Sequence, residues 1–214
     1  MTVSGPALRR GVILDRDGTL IDVVRDEESG LVSVAFHPSH VRLLPGVVPG
    51  LRALVDAGYV LCIATNQPGP AKGQFSARAV EHTNRALLDL LAASAIPVAA
   101  LEVCLHHPDG GDGGDPALVV ACTCRKPKPG MLLAAMQHTG LSPSATWMVG
   151  DSADDVTAAR AAGVRSALVF PLNRCELCPL RRGPSAVPDL HRPRFDEVAE
   201  AIIAADGALR APRP

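Results

Sequence analysis

The chain has 214 residues, of which 47% are hydrophobic and 20% are charged, and its formal net charge is −1. This length is sufficient for one domain with a complete hydrophobic core. The near-neutral charge excludes a strong basic field for nucleic acid or an anionic membrane, and an aromatic content of 3% argues against a surface that stacks single-stranded bases.

The apolar runs and the cysteines indicate where the protein works. The amino-terminal arm leads directly into a predicted strand at 11–14, which cannot be a cleaved signal segment, and no apolar run approaches membrane-spanning length. Five of the six cysteines lie in close-set pairs or beside histidine, which favours metal binding in a reducing compartment over a disulfide framework. We therefore expect a cytoplasmic monomer with no nucleic-acid or membrane partner.

Short apolar strands alternate with helical segments along most of the chain. Such alternation predicts βαβ units, a mainly parallel sheet and an α/β fold. Ser76 is expected to cap one helix and Asp196 the last one, while residues 22–44 carry a possible hairpin through Gly30. Predicted strands cover 11–14, 59–64, 98–103, 146–149 and 165–170, and predicted helices cover 47–57, 77–95, 130–140, 152–162 and 196–205.

Two aspartates, Asp15 and Asp17, directly follow the first predicted strand. Alternate residues of an extended chain point to the same side, so both carboxylates are expected together at the carboxyl end of a buried parallel strand. Because two close anions repel, this arrangement makes most sense beside a hard dication. The plain alternative is an acidic turn at the end of a strand.

Further polar residues occupy equivalent positions after other predicted strands. Thr65 and Asn66 end the second strand. Lys126 lies in a basic loop, and Asp151 follows the strand at 146–149. Because parallel strands present their carboxyl ends at one edge of the sheet, we expect these residues to meet Asp15 there.

Each of these positions also has a plain structural interpretation. Thr65 could be an ordinary polar end of a strand, Lys126 a surface lysine, and Asp151 a helix N-cap. Asp154 and Asp155, which follow shortly after, are predicted to be acids that favour the first turn of a helix.

A cluster of potential metal ligands flanks a loop rich in Gly and Asp at 104–124. Three thiolates and one imidazole, from Cys104, His106, Cys122 and Cys124, would form a closed tetrahedral zinc site of structural type. His107 is an alternative ligand to His106, and four unrelated reduced residues are the remaining interpretation.

The zinc loop leads directly into two cations. Arg125 and Lys126 follow Cys124 without a spacer. We therefore expect zinc to be structural and yet required for activity, because holding the loop also holds Lys126.

The motif Asp15-Arg16-Asp17-Gly18-Thr19, followed in order by Thr65, Lys126 and Asp151, resembles the four motifs of the haloacid dehalogenase (HAD) superfamily of phosphatases. This resemblance implies a Rossmann-like three-layer sandwich with a mainly parallel sheet. The segment at 22–44 is too short for the large cap domain found in many members. We expect one such domain over 1–205, with a disordered tail at 206–214.

The same resemblance implies the chemistry. Asp15 would be the nucleophile that forms an aspartyl-phosphate, and Asp17 would be the general acid and base. Thr65, Asn66 and Lys126 would hold the phosphoryl group. Mg²⁺ would be bound by Asp15, by Asp151 and, through its backbone carbonyl, by Asp17.

Two segments resemble one branch of this superfamily, the heptose bisphosphate phosphatases. They are Thr65-Asn66-Gln67-Pro68-Gly69-Pro70-Ala71-Lys72-Gly73-Gln74-Phe75 and the zinc-loop sequences Cys104-Leu105-His106-His107-Pro108-Asp109-Gly110 and Cys122-Thr123-Cys124-Arg125-Lys126-Pro127-Lys128-Pro129-Gly130-Met131. The resemblance implies a small phosphorylated sugar as substrate, namely the 7-phosphate of D-glycero-D-manno-heptose 1,7-bisphosphate, with Arg125 helping to recognise it.

Three questions stay open from the sequence. Histidinol phosphate or another small sugar phosphate is an alternative substrate, since histidinol-phosphate phosphatases share this pattern with a shorter zinc loop. A zinc-stapled interaction module without activity is a non-enzymatic alternative, although such a module has no need for Asp17. Cys175 and Cys178 could bind a second metal together with His191, form a redox pair, or be inert thiols.

Overall fold

Six strands lie side by side in the main sheet, and every neighbouring pair is parallel. The computed structural model describes residues 8–25, 28, 30, 32–170 and 187–208. The strands are β1 (Gly11–Leu14), β2 (Val24–Arg25), β3 (Val32–Ser33), β4 (Val60–Asn66), β5 (Ala100–Cys104), β6 (Thr146–Gly150), β7 (Arg165–Val169) and β8 (Leu190–Arg192). The main sheet has the order β5-β4-β1-β6-β7-β8, and β2 pairs with β3 as a separate antiparallel hairpin.

Helices cover both faces of the main sheet. They are α1 (Val47–Asp56), α2 (Ala77–Ala93), α3 (Gly130–Thr139), α4 (Ala153–Ala162) and α5 (Phe195–Ala208). Successive side chains of a strand point to opposite faces, so Val12 and Leu14 of β1 join one core and Ile13 joins the other. The first core packs against α1, α2 and α5, and the second against α3 and α4. The predicted three-layer α/β sandwich is therefore confirmed.

The segment between β1 and α1 adds only small elements to this sandwich. Among its described residues it contains the β2–β3 hairpin and a 3₁₀ turn at Pro38–His40, with no large cap domain. The hairpin confirms the turn predicted around Gly30. Elsewhere in the described part of the chain, no helix combines the length and the apolar character needed to span a bilayer.

Two predictions about helix ends can be compared directly with the structure. Ser76 caps α2 as predicted, since its hydroxyl accepts a hydrogen bond from the backbone N–H of Ala79 at 3.1 Å. The prediction for Asp196 is wrong, because α5 begins at the buried Phe195 and Asp196 lies within its first turn. The helix continues to Ala208, beyond the predicted end at 205, and Asp206 in its last turn bonds to Tyr59 and Trp147.

Some predictions fall on parts of the chain that the structure does not describe. Cys175 and Cys178 lie outside the described residues, and so does the segment 209–214. Their predicted roles stay predictions.

Candidate active site

The carboxyl edge of the main sheet gathers polar residues from loops that are far apart in the sequence. Asp15 follows β1, and its backbone N–H donates to Val149 of the neighbouring β6 at 2.8 Å. Asp151 follows β6, while Thr65 lies in β4 on the other side of β1. Parallel pairing on both sides of β1 therefore produces the predicted convergence.

Lys126 links the carboxylates of this edge. Its ammonium lies 2.6 Å from Asp15 Oδ1 and 2.6 Å from Asp155 Oδ1, and it donates to the backbone carbonyl of Ala64 at 2.8 Å. The side chain is only 3% exposed. Burial opposes its charge, but Asp15 and Asp155 outweigh burial and raise the pKa of Lys126. This lysine is therefore a buried cation of the site, and its interpretation as a surface residue is wrong.

Asp155 has a role in the site that the sequence interpretation missed. It was expected to be a favourable first-turn acid, but its side chain is 2% exposed and folds back over the start of α4. Its Oδ2 accepts from the backbone N–H of Ser152 at 3.1 Å and from the Ser152 hydroxyl at 2.6 Å, which forms a capping box. The Ser-x-x-Asp spacing was the available signal, because that spacing turns the acid toward the end of β6.

Two glycines allow the acids to approach the backbone closely. A Cβ at Gly18 would lie 2.2 Å from Asp151 Oδ2, and Gly18 also has a φ of +85°. A Cβ at Gly150 would lie 2.3 Å from the Asp155 carboxyl group. These positions exclude any side chain, so the compact arrangement of acids depends on both glycines.

The site carries more negative charge than its lysine can balance. Ligand atoms of Asp15, Asp151 and Asp155 lie within 4.8 Å of one another. Burial raises the pKa of Asp15 to about 7 despite Lys126, and Asp155 adds to this rise. Burial, together with Asp15 and Asp155, also raises the pKa of Asp151 well above its ordinary value. Oxygen ligands without sulfur or nitrogen suit a hard dication such as Mg²⁺, so the donor set fits that ion.

The carboxylate of Asp17 accepts hydrogen bonds from residues outside this acidic cluster. Its Oδ2 accepts from Arg16 Nε at 2.8 Å and from Gln67 Nε2 at 2.7 Å. Its Oδ1 accepts from the backbone N–H of Ala35 at 2.7 Å and from Arg16 Nη2 at 3.2 Å. The carboxylate of Asp17, which follows β1 as Asp15 does, is therefore held by Arg16, Gln67 and Ala35.

Arg16 is a buried cation that sequence reasoning passed over. The residue is 0% exposed, and besides Asp17 it donates to Asn84 Oδ1 at 2.5 Å and to the Ala35 carbonyl at 2.6 Å. Arg16 thereby joins β1, α2 and the segment after the hairpin around Asp17. A buried guanidinium needs such partners, since an unpaired charge in the interior is strongly unfavourable.

The side chain of Asn66 binds the backbone of Lys126. Its Nδ2 donates to the Lys126 carbonyl at 2.9 Å and its Oδ1 accepts from the Lys126 N–H at 3.1 Å, so the predicted contact of Asn66 with phosphoryl oxygens would be left to its backbone N–H. The amide reproduces the paired bonds of a strand and clamps the backbone of Lys126. Both polar ends of the amide are therefore used in fixing the lysine.

The four predicted zinc ligands come together at the end of β5. Neighbouring ligand atoms of Cys104, His106, Cys122 and Cys124 are 3.2 to 3.7 Å apart. Tetrahedral zinc with bonds of about 2.1 to 2.3 Å has ligand–ligand edges of roughly 3.6 to 3.8 Å, so small shifts of these atoms would let them surround that ion. His107 is turned away, and its Nδ1 accepts from the backbone N–H of Asp109 at 3.2 Å.

Hydrogen bonds connect the zinc cluster to the acidic edge. The backbone N–H of Gln67 donates to the Cys104 carbonyl at 2.7 Å, and the backbone N–H of Arg125 donates to Cys122 Sγ at 3.4 Å. Within the described part of the chain, Arg125 Nη1 is buried and has no hydrogen-bond partner. An unpartnered guanidinium nitrogen beside Lys126 is available to an anionic ligand.

Comparison with known proteins gives consistent similarities. A family model described as HAD-hydrolase-like matches residues 123–170. The chain is 41% identical over 164 residues to a D-glycero-D-manno-heptose-1,7-bisphosphate 7-phosphatase from Thermosynechococcus vestitus, covering 75% of this chain and 79% of that relative. It is 37% identical to the D-glycero-beta-D-manno-heptose-1,7-bisphosphate 7-phosphatase of Rhodopseudomonas palustris, covering 77% of this chain and 84% of the relative. A crystal structure of D,D-heptose 1,7-bisphosphate phosphatase from B. bronchiseptica, complexed with magnesium and phosphate, matches with a TM-score of 0.72 at 29% identity, covering 92% of this chain and 99% of that one.

Proposed function

The chain belongs to the family of the D-glycero-D-manno-heptose-1,7-bisphosphate 7-phosphatases, within the HAD hydrolases, and on that premise we propose that it removes the 7-phosphate of the heptose bisphosphate through an aspartyl-phosphate. The observation that carries the proposed mechanism is the position of Lys126 Nζ, 2.6 Å from both Asp15 and Asp155. A buried ammonium next to a carboxylate lets an anionic nucleophile approach an anionic phosphate.

Asp15 is assigned as the nucleophile. Lys126 holds its Oδ1, and in the described part of the chain no hydrogen bond engages its Oδ2. In the first step Oδ2 forms a bond to phosphorus while the bond from phosphorus to the sugar oxygen breaks. The leaving oxygen then needs a proton, which Asp17 supplies as general acid.

The second step returns both aspartates to their starting states. Asp17, now a carboxylate, takes a proton from water, and that water attacks phosphorus and displaces the Asp15 carboxylate as inorganic phosphate forms. The Thr65 hydroxyl and Arg125 are assigned to the phosphoryl and substrate oxygens, and Asn66 serves by fixing Lys126. The buried, unpartnered Nη1 of Arg125 supports this assignment.

Magnesium fits the acidic edge. Asp15 and Asp151 would hold it, together with the backbone carbonyl of Asp17, and Asp155 lies close enough to support them. When bound, Mg²⁺ supplies positive charge that offsets the phosphoryl oxygens. The raised pKa values of Asp15 and Asp151 support this assignment, because they reflect acids crowded together without enough positive charge.

Zinc fits the Cys₃His cluster as a structural ion. Cys104, His106, Cys122 and Cys124 would fill all four positions of a tetrahedron, which leaves none for substrate. The ion would act at a distance, since its ligand Cys104 bonds to the backbone of Gln67 and its ligand Cys124 precedes Arg125.

A substrate panel tests the proposal. Phosphate release in the presence of Mg²⁺ is measured with both anomers of D-glycero-D-manno-heptose 1,7-bisphosphate and with histidinol phosphate. We expect the highest kcat/KM for a heptose anomer. A higher kcat/KM for histidinol phosphate would contradict the proposed substrate and keep the reaction, whereas no release from any ester would contradict the reaction itself.

A further inference from the structure

The side chain of Gln67 lies between the two groups that the proposed mechanism uses for proton transfer and phosphoryl binding. The residue is 0% exposed. Its Nε2 donates to Asp17 Oδ2 at 2.7 Å and to Thr65 Oγ1 at 2.8 Å. Its Oε1 is buried and has no hydrogen-bond partner among the residues that the structure describes.

Electrostatic repulsion determines the orientation of the Gln67 side-chain amide. The reversed amide would place Oε1 against the Asp17 carboxylate, and two acceptors at that distance repel. The observed orientation leaves one buried acceptor unsatisfied, which is itself unfavourable. Both hydrogen atoms of Nε2 are used, so the amide nitrogen is fully committed to Asp17 and Thr65.

The contact with Gln67 restrains a different oxygen of the Asp17 carboxylate from the one that Ala35 binds. Arg16 and Gln67 together hold Oδ2, and the Ala35 N–H holds Oδ1. A carboxylate held by donors on both oxygens has little freedom to change rotamer. Gln67 is the uncharged side chain in this set, so its removal changes the alignment of Asp17 without removing a buried charge.

The contact with Thr65 sets the direction of a hydroxyl proton. Because Gln67 Nε2 occupies one lone pair of Thr65 Oγ1, the single hydroxyl hydrogen must point elsewhere. No acceptor for it is found among the described side chains or carbonyls. The hydrogen is thus free for an oxygen of a bound phosphoryl group.

We infer that Gln67 is a positioning residue, which aligns the acid Asp17 and turns the Thr65 hydroxyl toward the phosphoryl group with one amide nitrogen. This inference rests on the proposed function, because it uses the roles assigned there to Asp17 and Thr65. It adds a residue that acts through Asp17 and Thr65 rather than on the substrate itself.

Two substrates whose leaving groups differ in their need for a proton distinguish this positioning role of Gln67 from a purely structural one. A sugar alkoxide needs a proton when it departs, whereas 4-nitrophenolate is a stable anion that departs without one. The constant kcat/KM covers steps up to the first irreversible one, in which the leaving group departs. Misalignment of Asp17 therefore lowers kcat/KM for heptose bisphosphate more than it lowers kcat/KM for 4-nitrophenyl phosphate.

The experiment measures both constants for the wild type, Gln67→Met and Gln67→Glu. Methionine has a similar length without a donor, and glutamate has the same shape but places a second anion beside Asp17. We expect kcat/KM to fall about 100-fold for heptose bisphosphate and about 10-fold for 4-nitrophenyl phosphate in Gln67→Met, with a larger fall in Gln67→Glu. Gln137→Met, an exposed glutamine on α3, is the matched control and should change neither constant.

The ratio of the two constants is the deciding quantity. It does not depend on the fraction of folded enzyme, so partial misfolding of a variant leaves it interpretable. An unchanged ratio, whether both constants fall equally or neither falls, would overturn the assignment of Gln67. Failure of the wild type to release phosphate from either ester would instead overturn the proposed function.

Discussion

The carboxyl edge of the main sheet, where its parallel strands end, and the amino edge, where they begin, both bury carboxylates. The negative charge is in excess at the carboxyl edge and balanced at the amino edge. At the carboxyl edge, Asp15, Asp151 and Asp155 lie within 4.8 Å of one another and share the ammonium of Lys126. At the amino edge the carboxylate of Asp206 is surrounded by hydrogen-bond donors. The two clusters are built from similar residue types on the same scaffold.

The amino-edge cluster is balanced. Asp206 lies 2.7 Å from Arg165 Nη2 and accepts from the Tyr59 hydroxyl at 2.6 Å and from Trp147 Nε1 at 3.3 Å. The Arg165 guanidinium also lies over the Trp147 ring, 4.1 Å from its centroid. One anion thus meets one cation and two neutral donors, and nothing further is needed to stabilise it.

The difference indicates how a binding edge can be told from a structural one. A cluster with balanced charges stabilises the fold by itself. An excess of buried anions instead raises the pKa values of Asp15 and Asp151 and makes the site unfavourable without a bound cation. We therefore expect substitutions at the carboxyl edge to affect activity more than stability, and substitutions at the amino edge to do the reverse.

The largest effect is expected for Asp15→Asn. An amide is not a competent nucleophile, so phosphate release should fall by at least about 10³-fold. Without metal, the midpoint of thermal unfolding should not fall, because the substitution removes one of the crowded anions. Release at the wild-type rate would contradict the nucleophile assignment, and a large loss of stability would contradict the comparison of the two edges.

Removal of zinc is expected to have the next largest effect on activity. Chelation should lower kcat about 10-fold or more, because Cys104 supports Gln67 and the loop after Cys124 carries Lys126. Metal content is measured alongside activity, with Mg²⁺ kept in excess, and added zinc should restore the rate. Full activity in protein shown to be zinc-free would refute the coupling between loop and site.

Asp206→Asn tests the opposite edge. Replacing the carboxylate leaves Arg165 without its buried partner and should lower the free energy of unfolding by about 2 to 4 kcal/mol. Chemical denaturation measures this change, and kcat should stay at the wild-type value at temperatures where the variant is folded. A variant of normal stability would show that the amino-edge cluster contributes little to the fold.

The smallest expected effect is the alkaline titration of Tyr59. Burial, with the hydrogen bond to Asp206, raises the pKa of Tyr59 to about 12 from the ordinary value of 10.0. Its contribution to stability is therefore complete below about pH 10 and is lost as the pH rises toward 12. Between pH 9 and pH 11 the wild type should lose more stability than Tyr59→Phe, and equal losses in the two proteins would contradict the raised pKa.

Much of the carboxyl edge could be predicted from the chain alone. Strand ends followed by Asp15, Thr65 and Asp151 lie together because parallel strands align their carboxyl ends, and this follows from sequence order. The Cys₃His cluster could also be predicted, since closely spaced Cys and His residues on both sides of one loop have few other uses.

Other features depend on contacts that no local pattern contains. From the sequence, Asp155 resembles an ordinary first-turn acid and Asn66 a phosphate ligand. The structure places the Lys126 ammonium 2.6 Å from Asp155 and the Lys126 carbonyl within hydrogen-bonding distance of the Asn66 amide. Arg16 and Gln67 gave no signal either, because a buried cation and a buried amide are recognised only by the partners around them.

The sequence by itself determined the βαβ architecture, the order of the polar strand ends and the residue types of the two proposed metal clusters, because periodicity and spacing are local properties. Only the tertiary structure decided which carboxylates share a cation, that Asp17 is bound by Arg16 and Gln67, and that Asp206 bonds to Tyr59 and Trp147. Charge balance and hydrogen-bond direction depend on distances across the fold, and those distances arise only when the sheet and its helices have packed together.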